Sequence, residues 1–142
     1  MTPYDNENIF AKILRNEIPS HKVYEDDDVL VIMDVMPQAD GHALVIPKAP
    51  SRNIFDADPM TLGAVIATTQ NIARASKAAF NADGITIQQF NEAAGGQSVF
   101  HLHFHVIARH DGVPLKAHTG QMEEQDVLAS NCEKLKMALA AR

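Results

Sequence analysis

The chain has 142 residues, 46% hydrophobic and 21% charged, with 12 Lys and Arg against 18 Asp and Glu for a net charge of -6. That length supports one domain with a real core, and the acidic balance argues against a generic binder of nucleic-acid backbones. No apolar run approaches a membrane span, the acidic opening Tyr4-Asp5-Asn6-Glu7 is unlike the basic start of a signal peptide, and one cysteine, Cys132, excludes an internal disulfide. A cytoplasmic protein with no membrane and no nucleic-acid partner is expected.

Ile9, Phe10, Ile13 and Leu14 follow polar residues 6–8 in helical rhythm, and Pro19 stops what is predicted as a short first helix. Two short strands, 22–25 and 29–33, flank the acidic turn Asp26-Asp27-Asp28 and predict a hairpin. A turn cluster at 37–41 precedes a strand at 42–46, opened by His42 and closed by Pro47. Asp58 as N-cap and Pro59 at the first helical position start a long helix, whose stripe of Leu62, Val65, Ile66, Thr69, Ile72, Ala73 and Ala79 runs toward Phe80. Asp83-Gly84 leads into a strand at 85–90, and a polar, glycine-containing loop at 91–98 enters a histidine-rich segment. Past the break at 110–114, residues 122–140 read as an amphipathic helix in which Leu128, Cys132, Leu135 and Leu139 share a face, making Cys132 a core residue. Hairpins in sequence with few helices predict a single α+β domain over 1–142 with an antiparallel sheet.

The segment His101-Leu102-His103-Phe104-His105-Val106-Ile107 alternates strictly, so the three imidazoles share one face of a strand while Leu102, Phe104 and Val106 anchor the other. Three imidazoles on one face exceed what packing needs, since each ring carries two nitrogens that require partners. A metal site is one reading. The outer two α-carbons of a straight strand stand roughly 13 Å apart, however, while a Zn–N bond spans about 2 Å, and no second cysteine is present, so no metal is expected. Nucleophilic catalysis is the other reading: imidazole titrates near ~6.5, and a hydrogen bond on one ring nitrogen aims the other at an electrophile. The preceding Gly95-Gly96-Gln97-Ser98 offers exposed backbone N–H groups and side-chain donors suited to a phosphoryl group.

Residues 95–107 resemble the signature of the histidine triad (HIT) family. Asn8-Ile9-Phe10-Ala11-Lys12-Ile13, Asp34-Val35-Met36-Pro37-Gln38-Ala39 and the segment at 41–48 match its Hint branch in the same order, so the resemblance covers about 8–108. It implies a HIT-like α+β fold and a nucleotide hydrolase or nucleotidyl transferase that acts on an α-phosphate through a nucleotidyl-histidine, without metal or other cofactor. Under that resemblance His103 is the nucleophile. His105, His101 and His42 support it at the phosphate, and Asn91, Gly96, Gln97 and Ser98 bind phosphate and leaving group, Ser98 assisting departure. Asp34 would hold the ribose hydroxyls with Val35 beside it, and Ile9, Phe10, Ile13 and Ile32 would form the purine slot, although on their own these four read more readily as core than as a base pocket. The resemblance further implies a homodimer built through the helix at 61–80 and the strand at 85–90.

The chain departs from the Hint pattern at Ala49-Pro50, where many relatives carry a histidine, and at Asn8 and Ala11, where some bacterial relatives carry a zinc-binding cysteine pair. It lacks tryptophan and adds a C-terminal helix, which is expected to cover the sheet. The expected substrate is a purine nucleoside phosphoramidate or similar adenylated compound. Dinucleoside polyphosphate hydrolysis, and a nucleotide-binding or interaction module with incidental hydrolysis, are the alternatives.

Overall fold

The computed structural model describes residues 2–117 and 121–141; the other positions of the expected domain lie outside the described residues. Helix α1 (Ile9–Leu14) begins where the Asn8 side chain accepts the Ala11 N–H at 2.9 Å. It closes at Arg15, and Asn16 at φ +61° turns the chain. Pro19 is therefore not the stop. Strands β1 (Lys22–Glu25) and β2 (Val29–Met33) form the expected hairpin, and one carboxylate oxygen of Asp26 accepts the N–H groups of Asp28 and Val29 at 2.8 Å each. The acidic run thus builds the turn as well as solvating it.

Strand β3 (Ala43–Pro47), helix α2 (Pro59–Ala79), strands β4 (Gly84–Gln88) and β5 (Phe104–Arg109), and helix α3 (Gln125–Ala140) follow. The sheet order is β1-β2-β3-β5-β4 with every pair antiparallel. This is the expected α+β architecture, with shifted edges. His42 lies just before β3, and Pro47 belongs to it. The strand expected at 85–90 runs over Gly84–Gln88. Helix α3 starts at Gln125, not 122, because the Glu123 N–H donates to the Val35 carbonyl at 2.8 Å and keeps that segment alongside the earlier loop. Of the histidine segment, only Phe104 onward pairs as strand. The Leu102 N–H instead donates to the Ser51 carbonyl at 2.8 Å.

Alternation along β2 and β3 divides the interior into two layers. Val29, Val31, Met33, Ala43 and Val45 face Val65, Ile72 and Ala75 of α2 and Leu128, Cys132 and Leu135 of α3. The added helix covers the sheet beside α2, and Cys132 is a buried core residue whose Sγ lies 3.3 Å from the Lys22 carbonyl. Leu30, Ile32, Leu44 and Ile46 point the other way, against Phe10 and Ile13 of α1. Leu102, Phe104 and Val106 join the helix-side layer, which turns the intervening histidines toward α1. No helix among the described residues is long and apolar enough to cross a membrane.

Gly41 connects the sheet's packing to His42. It adopts φ +84°, and a Cβ there would stand 2.1 Å from the Phe80 ring at the end of α2. Both the backbone conformation and the close approach require glycine. Gly41→Ala is expected to lower stability by about 1–3 kcal/mol, read as a reduced denaturant midpoint at unchanged slope; a midpoint equal to that of the wild type would show that Phe80 yields at no cost.

Candidate active site

Four imidazoles lie buried on the α1 side of the sheet: His42, His101, His103 and His105. A neutral ring has one N–H and one lone pair, so a partner that can only accept or only donate fixes which nitrogen holds the proton. The Pro47 carbonyl, 2.8 Å from His101 Nε2, only accepts. His101 therefore carries its proton on Nε2, and its Nδ1 accepts the Tyr4 hydroxyl at 2.7 Å. The His101 carbonyl in turn lies 2.6 Å from His103 Nδ1, so His103 donates from Nδ1 and presents the lone pair of Nε2. On His42 the logic reverses. The Gln38 backbone N–H donates to Nδ1 at 3.1 Å, so Nε2 carries the proton and donates to His105 Nδ1 at 2.8 Å. His105 then carries its proton on Nε2. The result is a basic nitrogen on His103 beside an N–H donor on His105, with ring centroids 5.0 Å apart.

The loop before the histidines holds these rings differently from the sequence expectation. Gly95, Gly96 and Gln97 were expected to turn their donors toward a ligand, but their N–H groups donate to the carbonyls of Glu92, Ala93 and Glu92 at 3.0 Å each. The Gln97 amide is engaged at both ends: Nε2 donates to the Arg52 and Val99 carbonyls, and Oε1 accepts from Asn53 Nδ2 and the Glu92 N–H. Asn91 is likewise occupied, its Oδ1 accepting the Ile54 N–H and its amide pairing reciprocally with Gln89. A short turn needs these donors to close, which is why composition overstated what the loop offers outward. Gly96 contributes shape: at φ +100° its missing Cβ leaves room for Phe90, whose ring packs edge-on against His105 at 5.7 Å. Ser98 stays exposed beyond the turn.

The scaffold under this loop was not legible beforehand. Arg52 donates through Nε and a terminal nitrogen to the two oxygens of Glu92 at 2.9 Å, Asn53 adds a third bond at 2.6 Å, and the Arg52 guanidinium sits 4.2 Å above the Phe100 ring. Glu92 takes φ +66° and ψ 162°, a region almost reserved for glycine. These contacts hold it there, and Arg52 first, then Asn53, draws its carboxyl down to about 2.

On the apolar side, Phe10, Ile13 and Ile32 close into the buried layer with Leu30, Leu44 and Ile46, while Ile9 is half exposed. Phe10 touches the site directly, its ring edge-on to His103 at 4.8 Å. Asp34 is buried, with Oδ1 accepting the Met36 N–H at 2.9 Å and Oδ2 3.4 Å from His42 Nε2. Val35 packs on the opposite, helix-side layer.

The sequence and the fold have counterparts among known proteins. The HIT domain family matches residues 15–112. The chain belongs to the HIT family. A HIT-like protein involved in cell-cycle regulation from Bartonella henselae superposes with a TM-score of 0.93 at 56% identity, over 96% of this chain and 99% of that one. The purine nucleoside phosphoramidase of Escherichia coli (strain K12) is 38% identical over 117 residues, which are 80% of this chain and 97% of that protein. The adenylylsulfatase HINT3 of Arabidopsis thaliana is 38% identical over 104 residues, 73% of this chain and 53% of the plant protein.

In this HIT chain, Asp34, His42 and His105 bring potential metal ligands within 4.8 Å of one another. Their donor set fits a metal poorly. A ligating imidazole normally gives its second N–H to an acceptor, whereas His42 Nδ1 faces the Gln38 N–H, itself a donor, and His42 Nε2 is directed at His105. The cluster is wired as a hydrogen-bond chain.

Burial lowers the His101 pKa to about 4, only partly offset by the Pro47 carbonyl. The ring is therefore neutral at pH 7 and serves as a fixed spacer between Tyr4 and His103. Because the unfolded ring protonates near ~6.5, its contribution to stability is complete above that pH and declines as pH falls toward the folded value, by on the order of 3 kcal/mol. Urea unfolding at pH 7 and pH 4.5 is expected to show a larger acid loss for the wild type than for His101→Gln; equal losses would mean that His101 titrates normally in the fold.

Proposed function

We propose that this protein hydrolyses purine nucleoside phosphoramidates or related adenylated compounds at the α-phosphate by double displacement on His103. The observation that supports this best is the bond from His103 Nδ1 to the His101 carbonyl, which presents the Nε2 lone pair as a nucleophile. In the first step His103 Nε2 forms a bond to phosphorus as the P–N or P–O bond to the leaving group breaks; the leaving atom keeps the electron pair and takes a proton from solvent, with the exposed Ser98 hydroxyl assisting. In the second step water attacks phosphorus and gives up a proton to solvent, the P–Nε2 bond breaks, and the lone pair returns to His103 with release of the nucleoside monophosphate. His105 Nε2–H donates to a phosphate oxygen as charge builds, backed by His42. Asp34 receives the ribose hydroxyls, and Ile9, at the exposed rim of the Phe10, Ile13 and Ile32 layer, contacts the purine. Similarity to the E. coli phosphoramidase and the plant adenylylsulfatase favours these two leaving-group classes.

We also infer a cytoplasmic homodimer that pairs through β4 and α2. Strand β4 is an edge of the sheet, and Ile87 on it and Met60 and Ile66 on α2 are exposed. Ile87→Lys is expected to halve the mass measured by sedimentation; an unchanged mass would place any interface elsewhere.

The activity is tested by AMP release from adenosine 5′-phosphoramidate in the presence of a chelator, wild type beside His103→Ala. Turnover by the wild type and a loss of at least about a thousandfold in the variant are expected, with an adenylylated wild-type enzyme trapped by a denaturing quench at alkaline pH, where a P–N bond to histidine survives. A persisting adduct in the variant would sink the nucleophile assignment, and preferential turnover of a diadenosine polyphosphate would move the assignment to that leaving group. Tight AMP binding with no turnover of any of these would favour a binding module.

A further inference from the structure

The resemblance gives Asp34 one task, holding ribose, yet its position relative to His42 suits a second. The Asp34 carboxylate is fixed by the Met36 N–H on Oδ1, and this leaves Oδ2 facing the imidazole chain. The proton on His42 Nε2 is donated to His105 Nδ1 at 2.8 Å, and Asp34 Oδ2 stands 3.4 Å from the same nitrogen. It cannot retreat to Nδ1, because the Gln38 N–H fills that lone pair. The loop carrying Gln38 is itself braced from outside: the Lys116 N–H donates to the Gln38 carbonyl at 2.8 Å, and Glu123 holds Val35 in the same way.

We propose that Asp34 is a positioning residue for turnover, orienting the His42 Nε2–H toward His105 and compensating the positive charge that the His42–His105 pair gathers when His105 donates to the phosphate. The proposal rests on the nucleotidyl-transfer reading above, but the relay itself is a property of the resting protein. A buried carboxylate beside a neutral imidazole performs this work in other acid–base systems by aligning the ring and stabilising its charged form. Asparagine cannot replace it. With the amide oxygen toward Met36, its NH₂ faces the His42 N–H, donor against donor; flipped, its NH₂ faces the Met36 N–H.

The test separates a ribose contact from a relay by removing the ribose hydroxyls. Wild type and Asp34→Asn are assayed on adenosine 5′-phosphoramidate and on its 2′,3′-dideoxy analogue. Asp34→Asn is expected to lower kcat tenfold or more on both substrates, with any KM change confined to the ribose substrate. A variant that raises KM on the ribose substrate, keeps the wild-type kcat, and equals the wild type on the dideoxy substrate would overturn the proposal. Nitrogen-15 NMR of the wild-type imidazoles supplies a reading independent of activity and of how well the variant folds. His42 and His105 are expected to show Nδ1 unprotonated and Nε2 protonated at pH 7, and Asp34→Asn to shift the His105 pair. Averaged tautomers in the wild type would overturn the relay. If the wild type turns over neither substrate, the substrate reading falls and the NMR result alone decides whether Asp34 orients the pair.

Discussion

Main-chain groups fix which nitrogen carries the proton on His101, His103 and His42, and through His42 on His105, and the rest of the structure is arranged to bring those groups to the rings. An imidazole is ambiguous by nature, since either nitrogen can hold the proton. A carbonyl or an amide N–H is not. The Pro47 carbonyl, the His101 carbonyl and the Gln38 N–H therefore act as fixed poles, and the orientation of all four rings follows from them. This explains why the histidine segment enters the sheet late. Were residue 101 paired in the ladder, its carbonyl would be directed at a neighbouring strand. By diverting the Leu102 N–H to Ser51, the chain leaves the His101 carbonyl for the His103 ring.

The sheet supplies the second condition, a dry floor. Burying four imidazoles and a carboxylate is costly unless each polar atom finds a partner, and the sheet divides the interior so that they find one another. Helices α2 and α3 and the odd residues of β2 close one apolar layer, while the even residues of the same strand close the other beneath α1. His42, Leu44 and Ile46 lie on one side of the β3 line, and Ile32 and Asp34 on the same side of the β2 line. One parity choice, set by Val29, Val31 and Met33 facing the helices, sends Asp34 and His42 to the site. A one-residue slip in β2 would reverse it.

Much of this was legible in the chain because it depends on period and punctuation. The hairpin bounds, the Asp58-Pro59 start of the long helix and the buried face of Leu128, Cys132 and Leu135 all follow from local patterns, and all are found. What was not legible depends on partners distant in sequence. Tyr4 reaches His101 across 97 positions, and Arg52 and Asn53 reach Glu92 across 40 and 39. No spacing rule announces such pairs. The glycine loop failed for a different reason: composition counts donors, but only the closed turn reveals that Gly95, Gly96 and Gln97 consume theirs internally. The C-terminal segment was expected only to cover the sheet. It also braces the loop that delivers the Gln38 N–H, a link made by backbone groups, to which side-chain patterns are blind.

Under the proposed function, the closure of that glycine loop on itself changes where discrimination among substrates arises. A loop with outward N–H groups would hold a phosphate wherever the charge lay, and would bind ground state and transition state alike. Here the loop is closed on itself and braced by Arg52 and Glu92, so it acts as a wall: Phe90, admitted by Gly96, presses on His105 and limits where its Nε2–H can point. Under the proposed mechanism the donor that meets the phosphate oxygen is then a single aimed imidazole, whose strength is governed through His42 from the interior. Stabilisation of this kind grows as charge develops on the oxygen and does little before it. Under the same proposed mechanism the leaving group departs past Ser98, which is exposed beyond the turn. On that proposal the phosphorus chemistry is governed from the buried imidazoles and the departing group is selected at the surface.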